Sequence, residues 1–190
     1  TRYGKLEEEH LLKSIETCNE IAEHMSTTIS DFQNFFKPSK QKDKFSVLEV
    51  CKKAIAIINA SLKNNNIELS FDIQEDNTID GYSNEFSHAI LNIISNAKDA
   101  LISRKIKNPK IILSIKVGKE FTVIKIEDNA GGIKLKDINL VFEPYFTTKG
   151  EKRGTGIGLY MTKVIIEDNM HGFIDVKNTK IGALFRIKVK

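Results

Sequence analysis

The most regular pattern in the chain lies in residues 6–36. Apolar residues at Leu11, Ile15, Cys18, Ala22, Met25, Ile29, Phe32 and Phe36 follow one another at spacings of 4, 3, 4, 3, 4, 3 and 4. A repeat of about 3.5 residues held this long predicts a helix with a supercoiled seam. Leu12, Ile21 and Phe35 widen the stripe, as in a four-helix bundle. Pro38 cannot continue a helix, so a polar linker is expected over residues 39–44, with a domain boundary near residue 40.

Beyond that boundary the periods are short and mixed. Ser46 with Glu49 is a capping box for a helix over 47–63, which Asn64, Asn65 and Asn66 end. Residues 67–73 alternate apolar and polar and predict a strand; 75–77 read as a turn and 78–82 as a second short strand. Ser83 is the expected N-cap of a helix reaching about Lys105, with Phe86, Ala89, Ile90, Ile93, Ile94, Ala97 and Leu101 on its apolar face. Residues 110–117 and 120–127 alternate on either side of Gly118-Lys119 and predict a β-hairpin. A short helix over 136–141, a helix over 157–169 and strands over 173–177 and 183–190 complete the chain, the strands joined by a turn at 178–182.

Four segments carry candidate chemistry. His88, Asn92, Asn96 and Asp99 stand three or four residues apart, so they share one stripe of their helix. Asparagine is a poor helix former. Two carboxamides one turn apart therefore suggest oxygen ligands for a hard cation such as Mg²⁺. Asp128 ends a strand and is followed by Asn129, Ala130, Gly131, Gly132 and Ile133, a carboxylate beside backbone that a ligand can approach closely. Residues 142–155 are aromatic at Phe142, Tyr145 and Phe146, basic at Lys149, and expected to form a mobile lid. They run into Gly154, Thr155, Gly156, Ile157, Gly158 and Leu159, a glycine loop opening a helix, which suits an anion such as phosphate. This loop has neither the spacing of a P-loop nor the preceding strand of a dinucleotide-binding fold.

The order of these segments resembles the catalytic half of a bacterial sensor histidine kinase, in the ATPase superfamily shared with gyrase B, MutL and the ninety-kilodalton heat-shock chaperone. Asn92-Ile-Ile-Ser-Asn96-Ala-Lys-Asp-Ala is similar to the N box, 128–132 to the first glycine box, 142–149 to the F box, 154–159 to the second glycine box and 178–185 to the last glycine segment. The resemblance implies a two-layer α+β sandwich of the Bergerat type: a mixed, mostly antiparallel sheet with three main helices on one face, preceded by a long coiled-coil-like helix. It implies residues 45–190 as the ATP-binding catalytic domain. Residues 1–40 would be the second helix of a dimerisation and histidine-phosphotransfer domain, pairing two copies through 6–36. By position, Asn96 would hold Mg²⁺ and Asn92 would lie near the phosphates. Asp128 would accept from the adenine amino group, with Gly132 and Ile133 beside the base. Asp99, Lys149 and residues 154–159 would complete the ATP site, with Asn92, Asn96 and Lys149 the catalytic set.

Three departures from the family pattern stand out. Ala130 replaces the usual first glycine, and Ala183 stands where relatives often carry threonine. The phospho-accepting histidine motif is missing, because His10 is followed by Leu-Leu-Lys and His24 by Met-Ser-Thr-Thr. The acceptor is therefore expected upstream of Thr1, and transfer is expected to continue to an aspartate on a response-regulator receiver domain. In gyrase-type ATPases a glutamate stands one turn before the Mg²⁺ asparagine and activates water; here that residue is Asn92, which disfavours hydrolysis. A net charge of +4, spread along 190 residues, gives no case for nucleic-acid binding. No apolar run reaches the roughly 18 residues of a membrane span, so this part of the chain is expected in the cytoplasm, with any membrane anchor further upstream. Cys18 and Cys51 are far apart and are expected to be buried free thiols.

Overall fold

A computed structural model describes residues 14–15, 42–149 and 154–190. Ser14 and Ile15 are helical; the rest of the helix expected over 6–36 lies outside the described residues, as does Cys18. The chain forms two compact units; residues 39–146 and 156–190 make the larger, and the described residues 147–149, 154 and 155 belong to the smaller.

The larger unit begins with β1 (Asp43–Ser46) and α1 (Val47–Asn64), followed by β2 (Glu68–Ile73), β3 (Thr78–Gly81) and α2 (Ser83–Ser103). The hairpin β4 (Lys110–Val117) and β5 (Thr122–Asp128) comes next, then a 3₁₀ turn (Ile138–Phe142) and α3 (Gly158–Val164), which runs on as a π turn (Ile165–Asn169). β6 (Phe173–Asn178) and β7 (Ala183–Val189) close it. The main sheet has the order β2-β4-β5-β7-β6. Only β2 and β4 pair in parallel, Glu68 opposite Lys110, and the other pairs are antiparallel. The mixed, mostly antiparallel sandwich expected from the sequence is present.

Alternation explains which sheet face is covered. Ile111, Leu113 and Ile115 of β4 lie opposite Asp128, Ile126 and Ile124 of β5, and all six side chains are buried. The intervening Ile112, Ser114 and Lys116 turn to the other face. Helix α2 supplies the facing layer through Phe86, Ala89, Ile90, Ile93, Ile94, Ala97 and Leu101, all buried as its 3.6-residue period predicts. Phe86 packs on Phe45 of β1 with ring centroids 5.6 Å apart. Truncating a ring so enclosed costs about 3–5 kcal/mol.

Four local expectations need correction. Residues 43–46 are not linker: Asp43 pairs with Gly81 and Phe45 with Ile79 in a small two-stranded sheet with β3. The polar residues at Asp43 and Lys44 are the exposed half of that strand. Ser83 does not cap α2. The N-cap is Tyr82, without a side-chain bond, and the Ser83 hydroxyl lies 3.0 Å from an Asp43 carboxylate oxygen. The capping box is half made. Ser46 Oγ accepts from Glu49 N–H at 3.0 Å, but Glu49 pairs with Lys52, and Asp76 takes the Ser46 hydroxyl and the Leu48 N–H instead. Lastly, the lid cannot begin at Phe142, which is buried edge-on against Phe185. Cys51 is buried as expected; burial, with the Asp76 charge, pushes its thiol up to about 12 and leaves it inert at neutral pH.

Candidate functional site

The site grows from the C-terminal end of β5. Asp128 is the last residue of that strand, 5% exposed, with its side chain on the covered face. Its Oδ1 accepts from the N–H of Ala130 at 2.8 Å and of Ala183 at 3.3 Å. Among the described residues no donor falls on Oδ2, yet no buried side-chain oxygen lacks a partner. Oδ2 is therefore not sealed from solvent. Burial raises the Asp128 carboxyl above the usual range, opposed by these two amides and by the Arg104 charge. A half-held, desolvated acceptor is well suited to one hydrogen-bond donor on an otherwise apolar ligand.

The backbone after Asp128 turns away through Gly131 and Gly132, at φ of 83° and 79°. These two glycines are needed for conformation. Ala130 has no such φ and sits buried, so the first departure from the family pattern is absorbed without strain. The second is absorbed too. Ala183 has no hydroxyl, but its backbone N–H helps to hold Asp128. Gly182 is the closest fit of all, since a Cβ there would meet the Asp128 carbonyl oxygen at 1.8 Å.

Two side chains pin this loop, one of them, Arg104, outside every motif and the other, Asn178, at the first position of the 178–185 segment. Arg104, at the C-cap of α2, donates through Nη1 to the carbonyl oxygens of Ala130 and Gly132, the latter at 2.6 Å. Asn178, at the end of β6, accepts from Ile133 N–H at 2.7 Å and donates to Ile133 O at 2.9 Å. It leaves no room for a Cβ on Gly132, which would fall 2.7 Å from Asn178 Oδ1. In the sequence Arg104 is one charge among many after a helix. Only the fold, α2 packed on the sheet, brings residues 104, 130–133 and 178–183 together.

The second part of the site is the stripe on α2. His88, Asn92, Asn96 and Asp99 are all half-buried, between the covered and the exposed faces. Asn92 Nδ2 donates to Gly158 O at 3.4 Å, and Thr162 Oγ1 donates to the same oxygen at 2.9 Å. This ties the start of α3, with Ile157, Gly158 and Leu159, to the stripe. Gly156 has φ 67°, and a Cβ there would strike the Tyr145 carbonyl carbon at 2.3 Å. Asp99 lies 3.8 Å from Lys98 in a surface pair. Among the described residues no group of three or more His, Cys, Asp or Glu could hold a metal. A hard cation would have to take oxygens from carboxamides such as Asn96 and from its ligand, which suits Mg²⁺ bound with phosphates.

Lys149, Gly154 and Thr155 belong to the smaller unit. There Lys149 N–H donates to Thr147 Oγ1 at 3.1 Å, and Thr147 Oγ1 also lies where a Gly154 Cβ would be, at 2.4 Å. Their roles rest on the sequence alone.

Comparison with known proteins gives the family and the fold. Residues 81–190 match the family described as histidine kinase-, DNA gyrase B-, and HSP90-like ATPase. The chain is 32% identical to the two-component sensor PprA of Pseudomonas aeruginosa over 57% of its own length and 12% of that protein. It is 26% identical to the sensor histidine kinase ZraS of Salmonella typhi over 87% of its length and 35% of that protein. It thus spans well under half of either relative. The solved catalytic domain of the histidine kinase ThkA shares the fold, with a TM-score of 0.67, 23% identity, and coverage of 78% of this chain and 95% of that one.

Proposed function

The chain belongs to the family of histidine kinase-, DNA gyrase B-, and HSP90-like ATPases, and from that premise we propose that it is the C-terminal catalytic portion of a two-component sensor histidine kinase. It binds Mg²⁺·ATP and passes the γ-phosphoryl group to a histidine, for relay to an aspartate of a response-regulator receiver domain. The observation that carries the nucleotide half is Asp128: a buried carboxylate fixed through one oxygen and not sealed from solvent at the other, beside two glycines at positive φ.

In this reading Asp128 Oδ2 accepts from the adenine amino group, and Gly132 and Ile133 give the base its floor. The Asn96 carboxamide oxygen is the ligand to Mg²⁺, which when bound neutralises the phosphate charge. Asn92 and the start of α3 stand at the phosphate end. Work at such a site is positioning and charge neutralisation. Asn92 also favours transfer over hydrolysis, because a carboxamide engaged with Gly158 O cannot accept a proton from water. Residues 1–40 serve as the second dimerisation helix, 45–190 as the catalytic domain, and two copies pair through 6–36. The work is done in the cytoplasm. None of His10, His24, His88 and His171 is the acceptor.

The test is incubation with γ-labelled ATP, alone and with an added histidine-phosphotransfer domain. Acid-labile label on the added domain only is expected, and Asn96→Ala should remove it together with the Mg²⁺ dependence of ATP binding. Rapid phosphate release without label would favour a water-activating ATPase. Binding with neither outcome would favour a module that only presents nucleotide and partners.

A further inference from the structure

We propose that Arg104 is a positioning residue that sets base recognition, holding the loop after Asp128 from the far end of the helix that carries Asn92 and Asn96. The inference rests on the ATP-binding reading above. One guanidinium nitrogen donates to two carbonyl oxygens two residues apart, Ala130 O and Gly132 O. A carbonyl pair can converge on one donor only if the backbone between them is turned back, and Gly131 at φ 83° supplies that turn. A Cβ on Gly131 would come within 3.8 Å of Arg104 Nη1, so the guanidinium occupies the inside of the turn.

The consequence concerns selectivity. The turn that Arg104 holds begins at Ala130, whose N–H is one of the two donors fixing Asp128 Oδ1. It ends at Gly132 and Ile133, where the base is read to lie. Without Arg104 the Gly131-Gly132 segment has two conformationally free residues and one remaining side-chain clamp, Asn178. The binding-competent loop is then only part of a wider population, which weakens affinity by that fraction. The aim of the Asp128 carboxylate loosens with it. Arg104 also bears on the charge of Asp128. Its cation counters burial and the neighbouring Glu127 carboxylate. Arg104 is exposed to solvent, which screens that effect, so the geometric clamp is the larger part.

Arg104→Ala and Arg104→Lys variants of the 190-residue chain would be titrated with Mg²⁺·ATP and Mg²⁺·GTP by calorimetry, with thermal melting as the folding control. The expected result for Arg104→Ala is ATP affinity lower by about tenfold, with the ATP-over-GTP ratio falling towards one. The acid limb of ATP binding should also move to higher pH. Arg104→Lys keeps the charge and a single ammonium donor, so its ratio should be intermediate; this also decides the case if Arg104→Ala does not fold. An unchanged ratio in folded variants would overturn the inference and leave the nucleotide reading standing. Failure of the unaltered chain to bind ATP would overturn both.

Discussion

The two ends of the site are built differently. At the Asp128 end, polar bonds converge from four stretches of chain: Arg104 after α2, Ala130 to Ile133 after β5, Asn178 at the end of β6 and Ala183 at the start of β7. Gly131, Gly132 and Gly182 are there because no side chain fits the conformation or the space. At the Asn92 end, Asn92 Nδ2 donates to Gly158 O at 3.4 Å, and a Cβ on Gly158 would have ordinary contact with Asn92 at 3.7 Å. The first end is fixed before any ligand arrives. The second leaves ordinary room for a side chain at Gly158. In the proposed reading, where the first end holds the base, its rigidity gives selectivity because an ill-matched base leaves buried polar groups unpaired.

The largest effect should come from crowding the rigid end. Gly182→Ala puts a Cβ on the Asp128 carbonyl, so it should abolish ATP binding and lower stability by about 1–3 kcal/mol or more in a denaturant melt. A variant that keeps ATP affinity would show that this end adapts after all. Next comes Asp128→Asn. Its amide reverses the hydrogen bond offered to adenine, and about 1–3 kcal/mol, tenfold or more in ATP affinity, should be lost.

The same substitution should act oppositely on stability. Burial holds the Asp128 carboxyl above its ordinary 3.8. Between 3.8 and that raised value the folded chain keeps a proton that the unfolded chain has lost, so this group's contribution falls as pH rises through the window. Above the window the ionised, buried carboxylate is a standing cost. Asp128→Asn should therefore melt above the parent at pH 7, with the gap closing as pH falls towards 3.8. A parent that melts higher at pH 7 would mean that the Ala130 and Ala183 bonds outweigh burial. The smallest effect is expected at the Asn92 end, where a side chain has room and Gly158→Ala should change stability by less than about 1 kcal/mol.

Much of this was legible in the sequence, for local reasons. The buried face of α2 followed from helical period, and the β4–β5 hairpin from alternation around Gly118-Lys119, because both depend on neighbours a few residues away. Asp128 stood out as a carboxylate before two glycines at a strand end, a pattern that a plain turn would equally explain, and it was the resemblance of the neighbouring segments that marked it as a site residue. The partners of that carboxylate were not legible. Arg104 is 26 residues from Ala130, and Asn178 is 45 from Ile133. No periodicity links such positions; the β5–β7–β6 pairing brings Asn178 to the loop, and the packing of α2 on the sheet brings Arg104. Strand β1 was missed because half of its residues face water, and the Ser83 cap failed because that hydroxyl found Asp43 across the small sheet.

The central claim is that a rigid, carboxylate-anchored pocket selects adenine. Calorimetric titration of the 190-residue chain with Mg²⁺·ATP and with Mg²⁺·GTP tests it most directly. ATP should bind at least about tenfold more tightly, the ratio expected when guanine sets a carbonyl oxygen against Asp128 Oδ2. Equal affinities for the two nucleotides would contradict the role given to Asp128.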